Sequence, residues 1–246
     1  MDGKYIESVR LKEALPQDSY LRRLPVVQYL EQGCTLDFPC DVTFLVGENG
    51  TGKSTLLEAI AVAYGFNAEG GTRNFTFSTR ETHSPLYQNL VIARKRYAKD
   101  GFFLRAESFY NVASNIDDLN EEDGMLLESY GGVSLHRRSH GESFLALVQN
   151  RFGGRGLYIL DEPEAALSPS RQLTLMAEIN ALVGRDSQFI IATHSPILMA
   201  FPGAQIYELG EWGVRSVSYR ETEHYQLTRS FLENPDRMLR YLLEEE

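Results

Sequence analysis

Short apolar runs alternate with longer segments of helical periodicity along the chain. Mainly apolar runs predict buried strands at 41–46, 156–160 and 187–192. Apolar residues at helical spacing predict helices over 54–65 and about 168–183. Because strands alternate with helices, we expect an α/β fold with a mostly parallel sheet flanked by helices.

Smaller predicted elements surround this core. Segments 4–12 and 26–30 predict strands that lead to the first buried strand. Residues 90–97 and 102–106, joined by a turn that contains glycine, predict a hairpin and therefore an antiparallel β portion. The segment 67–85 is rich in Gly, Thr, Ser and Asn, which predicts a long loop.

Two further regions have a helical pattern. Residues 107–153 predict a mainly helical subdomain that is interrupted at Gly131-Gly132. A final helix is predicted over 235–246, with Asn234 as its N-cap. Its predicted inner face consists of Met238, Leu239, Leu242 and Leu243. We find no internal repeat, no long linker and no sustained heptad pattern, so we expect residues 1–246 to form one domain.

The composition narrows the class of protein. Hydrophobic residues make up 43% and charged residues 24% of 246 residues, which is typical of a globular protein. No apolar run approaches the roughly 20 residues of a membrane span, and the N-terminus lacks the pattern of a signal peptide. Two cysteines, Cys34 and Cys40, make neither a disulfide framework nor a four-ligand zinc site. We therefore expect a soluble, cytoplasmic protein with reduced thiols.

The net charge of −10 bears on partners. Nucleic-acid binding depends mainly on neutralising phosphates, so an acidic chain is poorly suited to it. Short basic clusters occur at 94–96 and 137–138, but such clusters are usually solvated surface. The composition leaves DNA contact open without supporting it.

The segment 47–55 carries the strongest functional signal. It fits the pattern G-x-x-x-x-G-K-[ST] between a predicted strand and a predicted helix, and its residues are Gly47, Glu48, Asn49, Gly50, Thr51, Gly52, Lys53, Ser54 and Thr55. In such a loop the backbone N–H groups and the helix dipole bind phosphate. Lys53 can reach the β and γ phosphates, and the Ser54 hydroxyl can ligate Mg²⁺. The alternative is a glycine-rich turn, but the strand–loop–helix context favours a nucleoside triphosphate site.

Two carboxylates follow another buried strand. Asp161 and Glu162 end the apolar run 157–160. Beside a phosphate loop, Asp161 would hold Mg²⁺ and Glu162 would face the attacking water. Strands also end in acidic turns for no chemical reason, so this pair depends on its context.

Two more motifs supply that context. His194 follows the strand 187–192, at the sheet end where α/β proteins carry their chemistry, and it could contact the γ-phosphate or the water. Ser139-His140-Gly141-Glu142 precedes a predicted helix, whose N-terminus can bind an anion through the Ser139 hydroxyl and the Gly141 N–H. The same residues also fit a capping box, and both interpretations can hold together.

The order of these motifs resembles the ATP-binding-cassette (ABC) ATPase superfamily. The phosphate loop, Ser139-x-Gly141-Glu142, Asp161-Glu162, the turn 165–168 and His194 look like that family's Walker A, signature, Walker B, D-loop and H-loop. The resemblance covers residues 41–200. Within the superfamily the chain looks most similar to stand-alone predicted bacterial ATPases, akin to the head domains of DNA-repair and SMC-type ATPases.

This resemblance implies a P-loop fold of ABC type, with ATP and Mg²⁺ bound and hydrolysed across a homodimer. Each subunit would contribute its phosphate loop, Asp161, Glu162 and His194 to its own nucleotide. Ser139 and Gly141 would contact the nucleotide held by the other subunit.

Several positions depart from the family pattern. The transporter signature Leu-Ser-Gly-Gly-Gln is replaced by residues 138–142, Arg-Ser-His-Gly-Glu. The Q-loop glutamine has no evident equivalent, and Glu107 occupies the corresponding place. No aromatic residue clearly matches the one that stacks on adenine, although Tyr20 is a candidate.

Three functions compete on this basis. The first is a stand-alone soluble ATPase, an ATP-dependent homodimer coupled to an unidentified partner protein. The second is the nucleotide-binding subunit of a membrane transporter, which the altered signature disfavours. The third is a DNA-repair or defence-associated ATPase, which the charge and the lack of coiled-coil arms disfavour. A non-enzymatic nucleotide sensor would not need Lys53, Asp161 and Glu162 together.

Overall fold

A six-stranded sheet forms the centre of the fold. The computed structural model describes residues 4–72, 84–106, 109–123, 126–130 and 132–243. The strands of this sheet are β3 (Val42–Gly47), β5 (Asp100–Arg105), β6 (Gly156–Asp161), β7 (Gln188–Ala192), β8 (Gln205–Gly210) and β9 (Gly213–Ser216). Their spatial order is β5-β6-β7-β3-β8-β9, and only the β8–β9 pair is antiparallel. The predicted mostly parallel sheet is therefore confirmed.

Burial explains the mainly apolar composition of these strands. Every residue of β3, β6 and β7 is buried, because helices cover both faces of the sheet. Successive residues alternate between the two hydrophobic cores: Ile159 and Ile190 belong to one, and Leu160 and Ile191 to the other.

Helices surround this sheet. They are α1 (Pro25–Glu31), α2 (Lys53–Tyr64), α3 (Phe109–Asp123), α4 (His140–Arg151), α5 (Pro169–Val183), α6 (Pro196–Met199), α7 (Glu223–Glu233) and α8 (Pro235–Leu243). Helices α3 and α4, with short 3₁₀ turns at Leu126–Tyr130 and Leu135–Arg137, make up the helical region predicted around the signature motif. Its glycine interruption falls between those two turns.

A second sheet has three antiparallel strands and does not contain the predicted hairpin. Its strands are β1 (Ser8–Leu11), β2 (Leu36–Asp37) and β4 (Leu90–Ala93), in the order β2-β1-β4. The hairpin of 90–97 with 102–106 is wrong, because β4 pairs with β1 whereas β5 joins the main sheet beside β6. Gly101 stands opposite Leu157 inside that parallel pair, so it is not a turn residue.

The predicted strand at 26–30 is also wrong, because these residues belong to helix α1. Pro25 occupies the first turn of α1, where its missing N–H costs no hydrogen bond. Val26, Val27 and Leu30 are buried on one side of the helix, and a Cβ on Gly52 would lie 2.8 Å from Val26 Cγ1. Packing against the phosphate loop thus overrides the strand preference of β-branched residues.

The C-terminal helix has its predicted cap but not its predicted inner face. Asn234 Oδ1 accepts a hydrogen bond from the Arg237 N–H at 3.1 Å, as an N-cap does. Leu239, Leu242 and Leu243 are 40%, 72% and 74% exposed, so the apolar side of α8 faces solvent. The last three residues of the predicted helix, 244–246, lie outside the described residues.

Two other predictions concern residues that the structure does not describe. Most of the loop predicted over 67–85 falls on 73–83, and Glu107 also lies outside the described residues.

In the part of the chain that is described, no helix has the length and apolarity to cross a bilayer. Cys34 and Cys40 are free thiols.

Candidate functional site

The carboxyl ends of β3, β6 and β7 bring the main sequence motifs together. The phosphate loop follows β3, Asp161 ends β6 with Glu162 directly after it, and His194 follows β7. Since these strands are parallel neighbours in the sheet, their ends meet at one edge. Segments far apart in the sequence thereby form a single cluster.

The phosphate loop has the backbone that its glycines allow. Gly47, Gly50 and Gly52 have positive φ angles of 139°, 84° and 96°. Helix α2 begins at Lys53, with Gly52 as its left-handed N-cap. The N-terminus of α2 therefore adjoins the loop. Its dipole and free N–H groups can bind an anion that the loop holds.

The loop residues differ in exposure. Glu48, Asn49 and Gly50 form an exposed tip, and the Thr51 hydroxyl donates to the Glu48 carbonyl at 2.9 Å. Thr51, Gly52 and Lys53 are buried, whereas Ser54 and Thr55 in the first turn of α2 are half-buried.

Gly47 makes the closest backbone approach in the loop and provides a stability test. A Cβ at Gly47 would clash with the Leu209 carbonyl oxygen on β8, whereas a Cβ at Gly33, also at positive φ, would have no atom within 4 Å. We expect Gly33→Ala to lower the free energy of unfolding by roughly 1–2 kcal/mol, the cost of a left-handed backbone. Gly47→Ala should cost about 1–3 kcal/mol more, because backbone must move. Chemical denaturation checks both, and equal losses would contradict the close approach.

The Lys53 ammonium lies inside the loop. It donates to the carbonyl oxygens of Gly47 and Glu48 at 2.7 and 3.0 Å. Burial lowers the pKa of Lys53, while the carboxylates of Glu162 and Asp161 act in the opposite direction. The loop thus holds a buried cation close to two acidic side chains.

Ser54 and Asp161 meet across the gap between α2 and β6. The Ser54 hydroxyl donates to Asp161 Oδ1 at 2.9 Å, and Arg105 Nε lies 3.6 Å from Asp161 Oδ2. Arg105 also pairs with Glu58 at 2.6 Å. A hydroxyl and a carboxylate are hard oxygen ligands, so this pair fits Mg²⁺ when phosphate oxygens and water complete the coordination. Among the described residues no cluster of three or more His, Cys, Asp or Glu side chains could hold a metal ion by itself.

Glu162 has an unusual backbone conformation at the strand end. Its φ and ψ of 51° and 53° are left-handed, which few residues other than glycine adopt. Its N–H donates to the Ala192 carbonyl at 2.9 Å, which ties this turn to β7. Glu162 Oε1 lies 3.5 Å from His194 Nε2. The turn therefore directs the carboxylate toward His194 and Lys53, at a backbone cost typical of functional sites.

His194 is held by two groups that the sequence analysis did not identify. Its backbone N–H donates to the Glu164 carboxylate, and its Nδ1 lies 3.0 Å from His224 Nε2. Burial lowers the pKa of His194, the nearby Lys53 charge and His224 lower it further, and Glu162 opposes them. Burial raises the pKa of Glu164, which the hydrogen bond from the His194 N–H opposes.

The signature residues lie at the start of α4. Ser139 donates from its N–H and its hydroxyl to Glu142 Oε2, at 3.0 and 2.7 Å, so the predicted capping box is present. Arg171 contacts both residues, with nitrogens 3.2 Å from Ser139 Oγ and 3.0 Å from Glu142 Oε1. A Cβ on Gly141 would lie 2.7 Å from the Ala166 carbonyl, which leaves room only for glycine.

The signature is separate from the phosphate loop of the same chain. Within the described ranges, no hydrogen bond or ion pair links Ser139 or Gly141 to residues 47–55. The structure thus brings Lys53, Ser54, Asp161, Glu162 and His194 together and leaves the signature outside that group.

A cavity of about 490 Å³ borders the outer side of the phosphate loop. It is lined by loop residues together with Arg23, Glu208 and the exposed Trp212. Tyr20, the aromatic candidate from the sequence, is 60% exposed and does not line this cavity.

Sequence reasoning overlooked Arg105, Glu164, Arg171 and His224. Arg105 ends β5, but the sequence predicts residues 102–106 in a hairpin with 90–97, which does not place Arg105 near the motifs. Nothing local marks the other three, since their roles depend on contacts between distant segments.

Two family models match the chain. One, described as "AAA domain", matches residues 26–116 and includes the phosphate loop. The other, described as "AAA domain, putative AbiEii toxin, Type IV TA system", matches residues 133–200, from the signature to His194. The order of the motifs along the sheet edge agrees with these matches. Together these findings support an assignment to the ABC-type ATPase superfamily.

Individual relatives agree with this assignment. The xylose import ATP-binding protein XylG of Moorella thermoacetica is 23% identical over 199 residues, which span 73% of this chain and 39% of that protein. This chain thus corresponds to well under half the length of that curated relative.

Two solved structures share the ABC-type fold. CbiO1 from Clostridium perfringens, part of the ABC transporter complex cbiONQ, aligns with a TM-score of 0.51 and 16% identity, over 97% of this chain and 99% of that chain. An inward-facing putative metal-chelate type ABC transporter aligns with a TM-score of 0.52 and 14% identity, over 93% and 88% of the respective chains. At these identities the likeness concerns the fold alone.

Proposed function

We propose that this protein is an ABC-type ATPase that binds ATP with Mg²⁺ and hydrolyses it in a homodimer. The observation that carries this proposal is the cluster at the sheet edge, where a buried lysine, a serine–aspartate pair and a glutamate–histidine pair surround the phosphate loop. ATP brings about four negative charges, and phosphoryl transfer depends mainly on positioning and charge stabilisation. This cluster supplies the groups for both.

Each residue of the cluster has a role that suits its position. Lys53 would exchange its bonds to the loop carbonyls for bonds to the β and γ phosphates. Ser54 and Asp161 would hold Mg²⁺, which neutralises developing charge on the phosphates when bound. Glu162 would orient the water and accept its proton, and His194 would contact the γ-phosphate or that water.

The position of the signature supports catalysis across two chains. Ser139 lies at an exposed helix N-terminus and is not joined to its own phosphate loop. Arg171 places a positive charge beside it. A second subunit's triphosphate would meet the helix dipole, the Ser139 hydroxyl and the Arg171 guanidinium together. ATP binding and dimer closure would then be one linked equilibrium.

A mixing experiment tests this arrangement. Ser139→Arg and Lys53→Ala should each be inactive alone, while an equimolar mixture should regain up to about a quarter of wild-type hydrolysis under random pairing with one of two sites intact. Ser230→Arg, on the exposed side of α7, controls for the added charge and should stay active.

The result depends on confirming that mixed dimers form. Two differently tagged variants, captured through one tag in the presence of ATP and Mg²⁺, report this directly. Mixed dimers without any regained activity would contradict catalysis by a signature from the opposite chain.

The work that hydrolysis drives separates the remaining candidates. A transporter subunit is favoured by the names of the relatives, and a defence-associated ATPase by the description of the second family model. The altered signature and the net charge of −10 weigh against transport and DNA binding respectively. Capturing the protein that co-purifies with a Glu162→Gln variant would identify the partner. A membrane permease would support transport, and a nuclease would support a role in DNA repair or defence.

A further inference from the structure

His194 lies between two polar side chains from different parts of the chain. Its Nε2 faces Glu162 Oε1 at 3.5 Å, and its Nδ1 faces His224 Nε2 at 3.0 Å. The two imidazole rings are inclined by 52°, with centroids 5.2 Å apart, so they meet through their nitrogens instead of stacking. A hydrogen bond between the rings requires one of these two facing nitrogens to carry the proton and the other to accept it.

The chemistry of the two neighbours selects one tautomer of His194. Burial and the charge of Lys53 lower the pKa of His194, which favours the neutral ring. If Nδ1 carried the proton, the Nε2 lone pair would face the carboxylate of Glu162, which is repulsive. With the proton on Nε2, that N–H faces the Glu162 carboxylate across 3.5 Å, and Nδ1 accepts from His224 Nε2–H. Among the described residues, neither His194 Nε2 nor His224 Nδ1 has a hydrogen-bond partner within the protein.

Hydrogen bonds around the start of α7 fix the position of His224. It lies in the first turn of α7, whose N-cap Thr222 is fully buried and accepts the Tyr225 N–H at 3.3 Å. The Glu223 N–H donates to Glu208 Oε1 at 3.0 Å. Glu208 is 2% exposed and pairs with Arg215 at 2.5 Å. The start of α7 is thus anchored to β8, the strand beside the phosphate-loop strand.

We propose that His224 is a positioning residue that holds His194 in the Nε2–H tautomer and orients its ring toward the phosphate site. The proposal rests on the ATPase function proposed for the same site, because the Nε2–H group is the one that can donate to a γ-phosphate. It assigns the start of the C-terminal helices to the catalytic apparatus, although no sequence motif marks it.

Two substitutions of His224 separate the hydrogen bond from simple packing. His224→Phe keeps a ring but removes the donor, so kcat should fall by about tenfold to a hundredfold, as for residues that orient a ligating histidine. His224→Gln keeps an N–H donor at a similar reach and should retain at least about a third of wild-type kcat. Both should leave ATP affinity within about twofold, because neither contacts the phosphate loop. Gln226→Ala, exposed on the same helix, controls for disturbance of α7.

Nitrogen NMR of histidine-labelled protein without nucleotide tests the tautomer independently of hydrolysis. The wild type should show His194 protonated on Nε2, identified by loss of that signal in His194→Gln. The His224→Gln variant should keep this tautomer of His194, and the His224→Phe variant should lose it. A wild-type His194 protonated on Nδ1, or equal kcat values in the Phe and Gln variants, would overturn the proposal. If ATP is not hydrolysed at all, the ATPase proposal fails while the tautomer result still stands by itself.

Discussion

Replacing Glu162 with glutamine is expected to lower ATP hydrolysis by roughly 10²–10⁴-fold, the usual contribution of a general base. Glutamine preserves the length and hydrogen-bonding shape of the side chain, but it cannot accept the proton of the attacking water. The Ser54–Asp161 pair that fits Mg²⁺ does not involve Glu162, so ATP binding should survive. A single-turnover assay measures the rate of hydrolysis, and a separate binding assay measures ATP affinity. The two together distinguish a loss of catalysis from a loss of binding.

The same variant tests the dimer. Because Glu162→Gln also removes a negative charge near the triphosphate, ATP should accumulate in a closed dimer that the wild type forms only transiently. Size-exclusion chromatography with and without ATP and Mg²⁺ measures this. Glu233→Gln, on the exposed part of α7, is the matched control and should behave like the wild type. A Glu162→Gln protein that binds ATP but remains monomeric would refute the dimer mechanism and leave the phosphate-loop assignment intact.

Replacing Lys53 with alanine should weaken ATP binding by at least tenfold, or about 1.4 kcal/mol. Lys53 is the buried cation of the loop, and its ammonium is already positioned by the carbonyl oxygens of Gly47 and Glu48. A phosphate that enters the loop would therefore lose its main charge partner in the variant. Isothermal titration calorimetry with ATP and Mg²⁺ gives the affinity directly.

Two controls make this result interpretable. Lys99→Ala removes an exposed lysine outside the site and should leave ATP affinity unchanged. Thermal denaturation of Lys53→Ala should show a folded protein, although the loop carbonyls lose a buried donor. Wild-type affinity in a folded Lys53→Ala protein would be incompatible with a phosphate-binding role for residues 47–55.

Much of the fold follows from local patterns. Strands β3, β6 and β7 and helices α2 and α5 lie where the apolar periodicity predicts them, because each buries a surface that its own residues define. The errors arose where packing between distant segments decides. Residues 26–30 include the β-branched Val26 and Val27 but form a helix against the phosphate loop. The glycine at 101 signals a turn but lies inside a parallel pair.

By itself, the sequence predicted the glycine-rich loop, the acidic strand end, the histidine after β7 and the motif order that resembles an ABC-type ATPase. These signals are local, since a glycine pattern or a strand-end carboxylate needs only its neighbours to be recognised. Tertiary structure alone decided that β4 and β5 enter different sheets, that the apolar side of α8 faces solvent, and that His224 meets His194. The reason is physical: strand partners and side-chain contacts across thirty or more positions depend on the packing of whole elements, which no short segment encodes.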